Sequence, residues 1–350
     1  MLLLHGFGSS PETWEKFIND RFKGSYSVLD YEEGDVINSE PTPDKKGILC
    51  YAVKFGSWDT ASGLTNVEGE TATESSSGDY STFEQMGREV QYAIEGILNK
   101  YSQTNVEILL LGHSRGGLVA RKFLQDLATS KEKAHIMGLL TTSTPHKGTP
   151  IGRIYSYLSE HSRDSCEDTP CKRDWAVIDL LNGRFLKIVG KSIDGCRPTV
   201  NDLSDNSGAI EDLNSNISQL PSNIAYGEIL NSGSNLGVVF DSSYKGHSLR
   251  LSLLESLKSS IFKNRILLSK NARNYILCGD ETNCDNKPED FPGDGLVPVD
   301  NQGYIFIDGF PSGAKAKAKR LSSSSNVLHT GATSQEADIS NILTFMLSEW

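Results

Sequence analysis

The chain contains no apolar run of the roughly 18 residues a helix needs to cross a bilayer, so it is read as having no transmembrane helix. A charged start followed by an apolar stretch is missing too, and no signal peptide is expected. Basic charge is scarce: 34 lysines and arginines stand against 45 acidic residues, a net charge of −11 with no basic patch to offset it. Nucleic acid and anionic membrane surfaces would repel such a chain and are excluded as main partners. No C-x-x-C spacing suggests zinc, and no internal repeat marks a solenoid or propeller.

At 350 residues, 37% hydrophobic and 23% charged, there is material for a large core. One catalytic domain with a sizeable insertion is expected, rather than two independent domains. The sequence opens inside an apolar strand (Met1 to Leu4), so the missing leader leaves secretion open, and the six cysteines lean toward a secreted or periplasmic protein. Cys166 with Cys171 and Cys278 with Cys284 are close enough to close small loops; Cys50 and Cys196 are left as a third pair, with buried free thiols as the alternative.

The most informative segment is Val106 to Leu127. Val106, Ile108, Leu109, Leu110 and Leu111 form a short buried-strand run, and Leu118, Val119, Phe123, Leu124 and Leu127 then recur at helical spacing. Between them lies Gly112-His113-Ser114-Arg115-Gly116. A G-x-S-x-G in a strand–turn–helix context is a nucleophile elbow, in which flanking glycines allow the tight turn that lifts the serine hydroxyl above the sheet. Ser114 is therefore the candidate nucleophile. An early strand ending in His5-Gly6-Phe7-Gly8 supplies the loop such chemistry requires, and the backbone amides of Phe7 and Arg115 are the candidate oxyanion hole.

The acid and base should follow in the order Ser, Asp, His. Asp294, between Gly293 and Gly295, is the candidate acid, with Asp280 in reserve. Of seven histidines only His329 lies beyond Asp294, and it is the candidate base. It follows a strand expected over Ala314 to Leu321 and precedes a helix-like ending with Ile339, Ile342, Leu343, Phe345 and Met346 on one face. His5 and His113 read as loop-holding residues, His146 as a hydrogen-bonded structural one, and His135, His161 and His247 show no spacing for a metal or base.

Taken together, HGFGSS at 5–10, GHSRGGLVAR at 112–121, STPHKGTP at 143–150 and DGLVP at 294–298 resemble bacterial lipases and esterases of the α/β-hydrolase superfamily. The resemblance implies a mostly parallel central sheet flanked by helices, cleavage of carboxylic esters, often acylglycerols, and a small-molecule ester or lipid substrate met in transient contact with a lipid interface. It covers the first 15 residues or so, 106–150, and pieces after 290; between them only fragments such as Asn201-Asp-Leu203 and Asp212-Leu-Asn214 match. It does not extend to the calcium site of some members, in which an aspartate closely follows the catalytic histidine, because Thr330, Gly331 and Ala332 follow His329 here. Acyl transfer to an acceptor other than water, or ligand binding without catalysis on the same scaffold, would use the same features.

Elsewhere, Thr60 to Tyr80 reads as an irregular excursion, and Phe83, Met86, Val90, Ile94, Ile97 and Tyr101 mark an amphipathic helix before the elbow strand. Residues 1–150 and 271–350 are expected to form the hydrolase core and 151–270 a helical cap or lid, whose stripes begin at Ile151, Trp175 and Leu253 and would wall the acyl site. Two segments, Asn223 to Ile229 and Asn274 to Cys278, compete as the strand before the acid. No cofactor is expected. The acidic loop with Asp280, Glu281, Asp285, Glu289 and Asp290 offers hard oxygen ligands for Ca²⁺ but lacks the spacing of a known calcium loop, so a solvated turn is the preferred reading.

Overall fold

The computed structural model describes residues 1–7, 9–22, 26–30, 40–45, 47–55, 81–102, 105–153, 201–235, 270–286, 290–315, 317–322, 327, 329–334, 339–340 and 343–344. Among these, seven strands form one parallel sheet: β1 (Leu2–Leu4), β2 (Ser27–Asp30), β3 (Tyr51–Lys54), β4 (Ile108–His113), β5 (Ile136–Thr142), β6 (Ala225–Leu230) and an edge strand, Ala318–Ser322. Their order across the sheet is β2-β3-β1-β4-β5-β6 and then the edge strand, which places β1 and β4 side by side at the centre. Parallel sheets are covered on both faces, and the near-continuous apolar runs of β1, β4 and β5 are the sequence form of that burial.

Successive residues of a strand point to opposite faces, so each strand feeds two cores. Leu2, Leu4, Ile108, Leu110 and Leu139 pack on one face with helix α2 (Phe83–Lys100) and helix α3 (Arg115–Lys122). Leu3, Leu109, Leu111 and Leu140 pack on the other with Trp14, Phe17 and Ile18 of the turn and helix α1 (Glu15–Phe22), and with Ile339 and Leu343. Helix α2 starts with a capping box in which Thr82 and Gln85 satisfy each other's backbone amides, and it buries Phe83, Met86, Val90, Ile94 and Ile97, the stripe its spacing announces. Helix α3 runs into a π-helical turn, Phe123–Leu127.

The competition for the strand before the acid is settled for Ala225–Leu230, which pairs with β5 and the edge strand. The sheet thus takes a strand from within 151–270, and 201–230 packs with the core rather than standing apart from it. Asn274 to Cys278 is a correction, being the end of a helix, Lys270–Cys278. A short apolar run does not distinguish the two states. Here Asn274 and Leu277, three residues apart, are both buried, and Arg153 Nη1 donates to the Ile276 carbonyl at 3.0 Å. The edge strand begins four residues later than Ala314, which lies in a short helix, Ser312–Lys315.

Cys278 and Cys284 form a disulfide. The pairing of Cys50 with Cys196 is also a correction: Cys50 is a buried free thiol immediately before β3, and burial raises its pKa to about 11. Ile151, the first residue of the first cap stripe, lies in a short 3-10 turn, Pro150–Gly152; the rest of the three cap stripes, Cys166, Cys171, Cys196, Thr60 to Tyr80, His161, His247, Gly8, Glu289, Ile342, Phe345 and Met346 lie outside the described residues. No helix among the described residues is long and apolar enough to cross a membrane.

Candidate active site

The C-terminal ends of β4, β5 and β6 converge on Ser114. Strand β4 ends at His113 and α3 begins at Arg115, so a single residue makes the corner, with φ 54° and ψ −129°. A non-glycine residue rarely enters that region, and it is held there by the Ser114 N–H donating to the Thr142 carbonyl of β5 at 3.0 Å. The glycines on either side are required by space. A Cβ on Gly116 would lie 2.4 Å from the Leu4 carbonyl oxygen, and one on Gly112 would lie 2.6 Å from Gly117 Cα.

His329 and Asp294 reach this corner from loops. The Ser114 hydroxyl donates to His329 Nε2 at 2.8 Å, and His329 Nδ1–H donates to Asp294 Oδ2 at 2.8 Å. All three side chains are buried. The other carboxylate oxygen, Oδ1, accepts from the amides of Leu296 at 3.0 Å and Val297 at 2.8 Å, and the His329 amide donates to the Asp294 carbonyl at 3.0 Å. The acid therefore holds its own turn and both ends of the histidine. A hydroxyl paired to an imidazole whose far nitrogen faces a buried carboxylate can pass its proton to the ring while attacking a carbonyl.

The turn carrying Asp294 is fastened by residues that sequence reasoning missed. Ser234–Asn235 pairs antiparallel with Pro292–Gly293 just beyond β6. Gln302 Nε2 donates to the carbonyls of Asn231 at 2.8 Å and Val297 at 3.0 Å, while its Oε1 accepts from the Asn231 amide at 2.7 Å. Asn231 Nδ2 continues to the Ser143 hydroxyl at 2.7 Å. From the other side, Thr149 Oγ1 donates to the Leu296 carbonyl at 2.5 Å and Asn301 Nδ2 to that of Gly148 at 3.0 Å, so the Pro-His-Lys-Gly-Thr loop is stitched to the acid turn. Nothing local in the sequence flags Gln302 or Asn231, because their partners are 71 positions apart.

The loop after β1 lies directly against the elbow: a Cβ on Gly6 would fall 2.7 Å from Ser114 Cβ and 3.1 Å from its Oγ. The Phe7 ring stacks under the Arg115 guanidinium, 4.9 Å from the ring centre. Burial raises the pKa of the nearby Asp202 to about 6, with Arg115 opposing the shift. His5 Nδ1–H donates to the Gly6 carbonyl at 2.9 Å. His146 accepts from the buried Arg121 at 3.2 Å through Nδ1 and donates to Thr141 Oγ1 at 3.0 Å through Nε2, and His135 Nδ1–H donates to the Val106 carbonyl at 2.8 Å. Asp280 is not brought to His329; it is exposed and accepts from the Thr282 and Asn283 amides, which lower its pKa. Among the described residues, no group of acidic, histidine or cysteine side chains is arranged to hold a metal ion.

The PGAP1-like alpha/beta domain model matches residues 71–194, which include the elbow. No curated protein matches the chain by sequence. Among solved structures, the product of gene lin2722 from Listeria innocua is 13% identical, with 99% of this chain and 92% of that one covered and a TM-score of 0.51. The mature form of the Bacillus licheniformis lipase BlEst2 is 11% identical over 99% and 90% of the two chains, with a TM-score of 0.48. EstA from Clostridium botulinum is 13% identical over 99% and 86%, with a TM-score of 0.42. With its elbow set at the centre of a seven-stranded parallel sheet, the chain has the α/β-hydrolase fold.

Proposed function

We propose that the chain is a serine carboxylester hydrolase of lipase or esterase type. The observation that carries this reading is His329, hydrogen-bonded at 2.8 Å to Ser114 on one side and to Asp294 on the other, in a buried site at the end of the sheet. Ser114 attacks the ester carbonyl as His329 takes its proton; the ring then returns that proton to the leaving alcohol, leaving an acyl group on Ser114 Oγ. Water, deprotonated by His329, releases the acid and restores the serine. Asp294 fixes the tautomer with the proton on Nδ1 and stabilises the imidazolium. The Phe7 and Arg115 amides are assigned as the oxyanion donors, each such donor contributing roughly 3 kcal/mol to the transition state. The fit of Gly6 against Ser114 supports that assignment. No step requires a metal or cofactor.

A series of p-nitrophenyl esters of rising acyl length, then an emulsified triglyceride, tests the reading. Turnover is expected in the intact chain and a fall of about 10⁵-fold or more in Ser114→Ala. Undiminished ester turnover in Ser114→Ala would overturn the proposal. Preference for short soluble esters would make it an esterase, and preference for long chains at an interface a lipase.

A further inference from the structure

His113 is the last residue of β4, directly before Ser114, and the reaction above gives it no part. Its ring is buried, and its Nε2–H donates to the backbone carbonyl of His329 at 2.9 Å, across 216 positions of sequence. The two imidazole rings stand 5.1 Å apart at 45°. Trp14 also meets His113 edge-on, with centroids 6.4 Å apart at 89°. We propose that His113 is a positioning residue for the candidate base: its N–H holds the His329 carbonyl and its ring backs the His329 ring, fixing the distance from imidazole to Ser114. The proposal rests on the ester-hydrolase reading of the same site.

His329 opens a short 3-10 turn, His329–Ser334, and besides its bond to Ser114 three hydrogen bonds hold it in place. Its amide donates to the Asp294 carbonyl, its Nδ1–H donates to the Asp294 carboxylate, and its carbonyl accepts from His113. The first two come from the acid and would let ring and acid move together. Besides the bond from the Ser114 hydroxyl to His329 Nε2, the third ties the histidine to the segment that carries the nucleophile. One stretch of two residues, His113-Ser114, therefore presents the hydroxyl and sets where its base stands.

The chemistry of an imidazole suits this task. A buried carbonyl needs a donor, and a donor here must not add charge beside a ring that itself becomes cationic during the reaction. Burial, reinforced by His329, holds the His113 pKa down to about 3, so the ring is neutral. Because Nε2 donates, Nδ1 is the bare nitrogen; it has no hydrogen-bond partner. The ring is thus a neutral, single-proton donor aimed at one acceptor.

The test compares His113→Leu, which removes the donor, with His113→Gln, whose terminal amide can reach the same carbonyl. Enzyme concentration is set by labelling the serine with a fluorophosphonate. His113→Leu is expected to lose about 10- to 100-fold in kcat, as a small displacement of a reacting group does, with KM nearly unchanged; His113→Gln should recover most of that loss. Should the leucine variant fail to fold, His113→Asn, whose shorter amide falls short of the carbonyl, takes its place. Independently of turnover, the far-downfield proton resonance of His329 Nδ1–H should stay sharp in the wild type and the glutamine variant, and broaden in the leucine variant. Wild-type kcat in His113→Leu, or glutamine no better than leucine or asparagine, would overturn the positioning role. Turnover that survives Ser114→Ala would instead overturn the hydrolase reading, leaving the resonance to decide this one.

Discussion

The segment Ile108–Lys122 and the loops from Pro292 to Ser334 meet at one hydroxyl, yet they are kept in place by different means. The first is set by backbone sterics and apolar packing: β4 lies between β1 and β5, α3 presses on the sheet, and the glycines leave no room for any other path. The second is set by polar bonds between loops, with Asp294, Gln302, Asn231 and Thr149 each satisfying buried backbone groups. A packed corner tolerates no added atom, whereas a polar loop tolerates no lost partner.

The largest effect should come from the loop side. In Asp294→Asn the Leu296 and Val297 amides still need an acceptor, so the side-chain oxygen stays with them and the NH₂ faces His329 Nδ1. Two donors then oppose each other, the ring shifts its proton to Nε2, and it can no longer accept from Ser114. A drop in kcat of about 10⁴ with nearly unchanged melting temperature is expected, read by ester hydrolysis and calorimetry. A loss of less than tenfold would mean the acid does not set the tautomer.

The corner should fail in the opposite manner. Gly116→Ala puts a methyl 2.4 Å from a β1 carbonyl in the middle of the sheet, which must shift to admit it. A stability loss of about 3 kcal/mol or more is expected in denaturant unfolding, with whatever folds keeping its kcat per labelled serine. Unchanged stability would erase the contrast between the two regions.

The smallest effect is a pH dependence of stability. His113 and His146 are both buried and neutral, the first with its pKa held to about 3 and the second well below the ordinary value, in each case mainly by burial. In the unfolded chain each titrates near 6.5, so below that pH the unfolded state takes up protons that the folded state refuses. Their contribution is complete above pH 6.5 and is lost as pH falls from 6.5 toward 3. A melting temperature about 5 °C lower at pH 4.5 than at pH 7.5 is expected, with a shallower fall in His113→Gln. A profile unaffected by that substitution would contradict the neutral assignment.

The same contrast explains what could be read in advance. The elbow is legible because strand period, glycine spacing and helix period lie within twenty-odd contiguous residues, and each has a single physical meaning. Asp294 is singled out by its flanking glycines and His329 by chain order, and the structure brings both to the Ser114 corner. The tie from His113 to the His329 carbonyl, and the Gln302–Asn231 link, join residues far apart in sequence through side-chain amides and rings that carry no local pattern. Asn274 to Cys278 misled for a related reason, since five residues with an apolar core fit a strand or one helical turn equally. Cys50 misled because cysteine count says nothing of which thiols are buried alone.

The 215-residue separation of Ser114 and His329 also bears, under the proposed mechanism, on when the molecule becomes active. As the chain is synthesised, the nucleophile, its turn and its glycines are laid down early, and the imidazole emerges only after the edge strand. A nascent or clipped chain would carry a bent serine with no imidazole beside it, and under the proposed mechanism it would be inert.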